Sequence, residues 1–392
     1  MFEIRKRLIF TLFLLLALIN TAFCIQPSSR ENLTELIRQP APVVVAHGKN
    51  VNIAEESTWR NILCSIKNGA QVLEFDVQIL KQYNKSDPEQ FIVLHDPTFH
   101  KLVKNYSTPQ EKVNRFIAEN PAKAKSKEWA WDFNLFDRMS TFSLNEIKSN
   151  LMLYDKKTEV HFELITLDET LSAIGTPGKF RIPAHRCMKD GKEGILPSSV
   201  IPLTKPIFYY LDVKDLNALA RRLNNLPTWD WDRNWMTTDE QIAFTARVFK
   251  GLSDTLKAHR AHEKVFLCVR HEKVAEIARK IDPKIKIMAS TENANINTRP
   301  ADLIRELEKF SAFKPEFYEI KYLNHILSPE IRYFIQNQKS QAFYNKITQT
   351  DPGQFEGRYK DNLPLLLQTI METGRDVFIQ TNTVPEVVQY LH

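Results

Sequence analysis

The chain has 392 residues, 43% of them hydrophobic, which is material for one large folded unit or two ordinary ones. Its net charge of +6 is too mild for a nucleic-acid footprint, so no nucleic-acid partner is expected. Beyond Cys24 only Cys64, Cys187 and Cys268 remain, and that odd count argues against a disulfide framework.

The N-terminus reads as an export signal. Arg5-Lys6-Arg7 precedes an apolar run over 8–19, and Ala22-Phe23-Cys24 follows. A basic segment, an apolar stretch too short to span a bilayer comfortably and a small-x-small pattern predict a signal peptide over 1–24. The mature chain is then periplasmic or secreted, with no integral membrane span. A lipid anchor on Cys24 is disfavoured by bulky Phe23 before it.

From residue 40 onward, strand-like runs alternate with helical patterns. The strand-like runs cover 42–47, 72–79, 207–213, 264–269, 285–289, 316–322, 342–346 and 376–380. Amphipathic helical stretches separate most of them, at 58–66, 238–258, 273–281, 300–313 and 363–372. The last of these has Asp361 or Asn362 as cap, Pro364 early and Gly374 beyond its end. Eight strands alternating with helices predict an α/β fold, a (β/α)8 TIM barrel over 40–392.

Two stretches break the alternation: 98–164, which contains Trp129-Ala130-Trp131, and 179–205, rich in Pro, Gly and Lys. Both leave the early strands and read as inserted loops or a subdomain over the mouth. Trp229-Asp230-Trp231-Asp232 reads as loop packing ahead of a capping box at Thr238 and Gln241. Cys64, in a helical pattern, and Cys268, in an apolar strand, read as small buried hydrophobes.

The chemistry-bearing residues sit at strand ends. Glu74 and Asp76, one residue apart on a strand, point to one face. Two carboxylates side by side repel unless a cation lies between them, so the pair reads as a seat for a hard metal, Mg2+ or Ca2+. In a barrel the C-terminal strand ends converge on one mouth. His47 ends the first strand and His95 the extended run 91–95, supplying a general acid and a general base. Asp212 adds a third oxygen ligand, and Lys214 faces the same way as a fixed positive charge. Asp215 lies close enough to compete with Asp212 for that role. Glu319-Ile320-Lys321 also ends a strand and reads as a structural salt bridge. The set suits metal-assisted chemistry on a phosphodiester.

These residues carry a resemblance. Val45-Ala46-His47, Glu56-Ser57-Thr58, Gly69-Ala70, Leu73-Glu74-Phe75-Asp76-Val77 and Val93-Leu94-His95-Asp96 resemble the N-terminal signature of the glycerophosphodiester phosphodiesterase family. Leu167-Asp168-Glu169-Thr170-Leu171 is similar to its segment before strand three, and Thr381-Asn382 with Pro385-Glu386-Val387 to its closing segment. The resemblance implies a barrel phosphodiesterase using a divalent metal, with His47 and His95 catalytic, Glu74, Asp76 and Asp212 as metal ligands, and Lys214 on the phosphate. The chain departs from the family at His47-Gly48-Lys49, where the family has His-Arg-Gly. Lys49 replaces the charge of the missing arginine but not its bidentate fork. Ser57 stands for the usual Asn and Asp212 for the usual Glu; an Asp there also occurs in sphingomyelinase D relatives.

The expected activity is hydrolysis of glycerophosphodiesters to glycerol 3-phosphate and an alcohol, with a small-molecule phosphodiester or a lysolipid as partner. A lysophospholipase D-like or sphingomyelinase D-like enzyme releasing a cyclic phosphate, and a catalytically silent ligand-binding barrel, are the alternatives.

Overall fold

The computed structural model describes residues 36, 42–47, 57–80, 90–95, 144–150, 152–155, 158–226, 237–291, 294–295, 297–344, 363–373, 377–381 and 384–391. The expected signal peptide, Lys49 and the Trp229–Trp231 stretch lie outside them. In chain order come β1 (Val43–Ala46), α1 (Trp59–Lys67), β2 (Val72–Ile79), β3 (Phe91–Val93), α2 (Leu144–Asn150), β4 (Met152–Asp155), β5 (Val160–Glu163) and α3 (Leu167–Ala173). Then follow β6 (Lys179–Ile182), β7 (His185–Lys189), β8 (Lys192–Leu196), β9 (Ser199–Pro202), β10 (Phe208–Val213), α4 (Lys214–Leu223), α5 (Thr238–Ala258), β11 (Val265–Val269) and α6 (Glu272–Ile281). The chain ends with β12 (Lys286–Ala289), α7 (Pro300–Glu308), β13 (Phe317–Ile320), α8 (Leu323–Ile326), α9 (Pro329–Asn337), β14 (Gln341–Tyr344), α10 (Leu363–Thr373), β15 (Val377–Thr381) and α11 (Val384–Leu391).

Eight parallel strands close on themselves in the order β1, β2, β10, β11, β12, β13, β14, β15 and back to β1. This is the (β/α)8 barrel expected from the alternation. The strands are buried on both faces, which is why they read as nearly continuous apolar runs. Leu73, Phe75 and Val77 of β2 and Tyr209, Leu211 and Val213 of β10 face the helix layer. Their alternate neighbours Val72, Phe208 and Tyr210 face the barrel interior, with Phe266, Phe317, Phe343 and Phe378.

That interior is a packed aromatic plug. Phe266 stacks on Tyr210 at 5.4 Å and meets Phe317 at 4.4 Å, and Phe317 meets Phe378 edge-on at 4.8 Å. Burying each ring contributes about 1.5–3 kcal/mol, and the plug gives the mouth a dry floor. At the other end of α1, Gly69 takes φ +95° to turn the chain into β2. A Cβ there would meet Val388 of α11 at 3.2 Å, so only glycine suits the turn.

The structure gives the expected insertion a fold of its own and corrects some element boundaries. The stretch 179–205 contains four antiparallel strands, β6 to β9. β7 and β8 extend β4 and β5 into a four-stranded sheet, and β6 pairs with β9. The signal for it was Asp190-Gly191, both at positive φ, a two-residue hairpin turn joining Lys189 to its partner Lys192. The barrel's second helix, α3, lies between the two excursions, with a capping box from Thr166 to Glu169. The box ahead of α5 sits one residue earlier than expected, from Thr237 to Glu240. Gln241 is buried, whereas exposed Glu240 brings a charged acceptor back to the Thr237 N–H. Helices α2, α3, α4, α8, α9 and α11 fall outside the expected helical stretches, and α11, not α10, is the last described helix.

Candidate active site

The carboxylates are assembled by strand register. Asp76 of β2 lies directly beside Asp212 of β10, and Glu74 lies beside Tyr210. Because side chains alternate, Glu74, Asp76 and Asp212 all turn inward above the aromatic plug, and each is buried. Each offers a carboxylate oxygen within 4.8 Å of the others, a grouping that could hold a metal ion. Three hard oxygen donors match Mg2+ or Ca2+ by chemistry. The Lys214 ammonium pairs with the buried Asp76 Oδ1, so the seat already draws a cation.

The histidines flank this seat. The backbone N–H of His47 donates to Thr381 at 3.0 Å, continuing the β1–β15 ladder past the end of β1. Its Nε2 lies 3.3 Å from Glu74 Oε2. His95 follows β3, which pairs antiparallel with the end of β2, and its Nε2 lies 3.9 Å from Asp76 Oδ2. Gln78 donates to the Leu94 carbonyl at 3.0 Å and so fixes the backbone that presents His95. Lys49 lies outside the described residues.

Fixed cations complete the site. Lys214, the first residue of α4, donates to Asp212 Oδ2 at 2.8 Å. Burial would push the ammonium down, but Asp212 and Asp76 hold it above the ordinary lysine range. Arg270, just beyond β11, forks onto both oxygens of Asp212 at 3.0 Å each. Burial alone would raise the Asp212 carboxyl; Arg270 and Lys214 together hold it well below the usual range. Buried Glu319 accepts from Ser290 and lies 3.4 Å from Lys321, the structural salt bridge expected there. Asp215 faces away and accepts from the Ile79 backbone at 2.8 Å, so it ties α4 to β2 and leaves the ligand place to Asp212.

Arg270 is the residue missed in the sequence. It follows Val269 at the end of an apolar run, two positions past inward-facing Cys268, and that spacing alone places it in the mouth. The three cysteines among the described residues, Cys64, Cys187 and Cys268, are free, with Cys268 buried in β11.

A parallel eight-stranded barrel with a buried three-carboxylate seat at one mouth, flanked by two histidines and two paired cations, defines the class of protein. No family sequence model and no curated protein matches the chain. Solved structures do. A glycerophosphoryl diester phosphodiesterase described as putative, from Silicibacter pomeroyi, matches with a TM-score of 0.52 at 11% identity over 90% of this chain and 94% of that one. Another from Galdieria sulphuraria, also described as putative, matches with a TM-score of 0.49 at 12% identity over 89% and 97%. A third, from Parabacteroides distasonis, gives 0.48 at 11% identity over 92% of each chain. The likeness to the Silicibacter pomeroyi structure shows a shared fold along nearly the whole length of both chains.

Proposed function

We propose that this chain is a metal-assisted phosphodiesterase of the glycerophosphodiester phosphodiesterase type, splitting glycerophosphodiesters into glycerol 3-phosphate and an alcohol. One observation carries the reading: two histidines stand at the edges of a buried carboxylate triad, 3.3 Å and 3.9 Å from its oxygens. The shared fold and the family resemblance of the sequence around these residues support it.

In this reading Glu74, Asp76 and Asp212 would hold a Mg2+ or Ca2+ ion, which would supply Lewis-acid polarisation of a phosphoryl oxygen when bound. One histidine takes the proton from the attacking hydroxyl, either the substrate's neighbouring one or water, and the other protonates the leaving alkoxide. Lys214 and Arg270 stabilise the charge that develops on phosphorus oxygens. Glu74, Asp76, Asp212 and Glu319 face Lys214, Arg270 and Lys321, leaving one net negative charge before the histidines are counted. A divalent ion in the seat would turn that into one net positive charge, to which the protonated acid histidine adds another, an attractive field for a phosphodiester monoanion.

The place of action is outside the cytoplasm, after removal of 1–24, and the leader pattern supports this. Among the described residues no helix is long and apolar enough to cross a membrane. The test is turnover of glycerophosphocholine by the purified chain, abolished by chelator and restored by Mg2+ or Ca2+. Full activity in excess chelator sinks the metal assignment, and no turnover under any condition leaves the silent barrel.

A further inference from the structure

Among the described residues only five large hydrophobic side chains are exposed, and three of them fall within six positions: Ile195 at 73%, Leu196 at 38% and Val200 at 54%. Ile195 and Leu196 lie on β8 and Val200 on β9, on either side of a two-residue link. Every residue from 189 to 200 is exposed, so this ribbon packs no core of its own. Cross-strand register sets basic groups beside the apolar ones. Ile195 opposes Arg186, Val200 opposes Arg181, and Lys189 opposes Lys192. Across 179–205, six basic residues stand against Asp190 and Glu193, a local net charge of +4.

An apolar strip rimmed by lysine and arginine is the composition that seats at a lipid interface, where apolar side chains enter the acyl boundary and cations pair with headgroup phosphates. We propose that the β8–β9 ribbon docks this protein on an anionic phospholipid surface. Charge decides against a second copy of the chain as the occupant, because it would bring the same +4 ribbon against this one. The position suits the role. β8 is the outer strand of a sheet in which β7 pairs with β5, two strand spacings or about 10 Å inward. From β5 the chain runs into Thr166, which bridges Ile92, three residues before His95. A bilayer held by the ribbon lies near the mouth, where a lipid-derived phosphodiester would enter. The docking stands independently of the activity proposed above.

The experiment is co-flotation of the mature chain with phosphatidylcholine vesicles, with and without phosphatidylserine. Binding is expected only to the phosphatidylserine vesicles, weakening as salt rises. The triple variant Ile195→Ser, Leu196→Ser, Val200→Ser and the double variant Lys189→Glu, Lys192→Glu should each lose about tenfold or more in vesicle affinity. Tyr333→Ser removes an equally exposed ring on α9 and should bind like the parent. All these positions are exposed, and unchanged circular dichroism melting confirms that each variant folds. Failure of the parent chain to bind anionic vesicles overturns the proposal, as does undiminished binding by either ribbon variant. A dimer dispersed by the triple variant, with no vesicle binding, would assign the strip to self-association instead. None of these readouts depends on turnover.

Discussion

Arg270 donates to both carboxylate oxygens of Asp212, at 3.0 Å each, and thereby laces β10 to β11 at the mouth of the barrel. The same Asp212 accepts from Lys214, so one short carboxylate anchors two half-buried cations. A guanidinium fork fixes orientation as well as charge, which a lone ammonium does not. The chain lacks the arginine that usually follows the first histidine of the resembling family, and it places this one in the site from another strand.

Arg270→Met should therefore destabilise the fold by about 2–3 kcal/mol, the scale of losing hydrogen bonds to a charged group while Lys214 stays on Asp212. Arg270→Lys keeps the charge and loses the fork, so it should cost less, about 1–2 kcal/mol. Urea unfolding followed by circular dichroism measures both. Losses under about 0.5 kcal/mol in both variants would mean that the fork does not hold this corner.

The two histidines should separate chemistry from folding. His47→Ala and His95→Ala should each lower kcat by roughly 10²–10⁴-fold, the scale of general acid–base catalysis. Their melting temperatures and metal content should stay near those of the parent chain. Near-normal turnover in either variant removes that residue from the mechanism.

The barrel and most of the site were legible because both rest on short-range rules. Glu74 and Asp76 show the period of two inside an apolar run, and His47 and His95 end their runs. Asp212 was harder, since Asp215 offers the same chemistry. Only the helical turn at Lys214 separates them, keeping Asp212 inward and sending Asp215 to the Ile79 backbone. Arg270 was missed because its meaning depends on its strand neighbour Asp212, 58 positions away in sequence. The strands β6 to β9 were missed for a different reason. β8 and β9 bury almost nothing, so they show no hydrophobic period, and β6 alternates Phe180 and Ile182 with Lys179 and Arg181 over only four residues.

Far from the mouth, Asp282 gives a pH prediction. Its Oδ2 accepts from Ser253 at 2.6 Å and from His262 at 2.9 Å, and its Oδ1 accepts from the Lys284 N–H at 3.0 Å. Burial pushes this carboxyl up, but those bonds outweigh it and hold the pKa at about 2, against an ordinary 3.8. A depressed carboxylate stabilises the fold above its unfolded pKa, and that contribution fades as pH falls from about 4 to about 2. It is worth about 2 kcal/mol at neutral pH. Asp282→Asn should lose about that much at pH 7, and the gap from the parent should close in acid. Denaturant midpoints at several pH values measure this. A gap that does not narrow below pH 4 would show that the bonds do not favour the ionised form.

The product identifies the chemistry most directly. A glycerophosphodiesterase and a cyclising relative share the first step, a substrate hydroxyl attacking phosphorus while cations stabilise the developing charge. They part at the second, because opening the cyclic ester needs water and a group to activate it. His95, beside Asp76, has 35% of its side chain exposed, against 13% for His47 beside Glu74. A general base reached by solvent on one side and held against the carboxylate seat on the other is placed to activate that water. Glycerophosphocholine should therefore yield glycerol 3-phosphate and choline, seen by phosphorus NMR as a monoester signal. In His95→Ala, any residual reaction should show a larger share of cyclic phosphate, since the second step loses its base. A cyclic phosphate as the end product of the parent chain, or turnover confined to lysolipids, would transfer the assignment to the lysophospholipase D-like alternative.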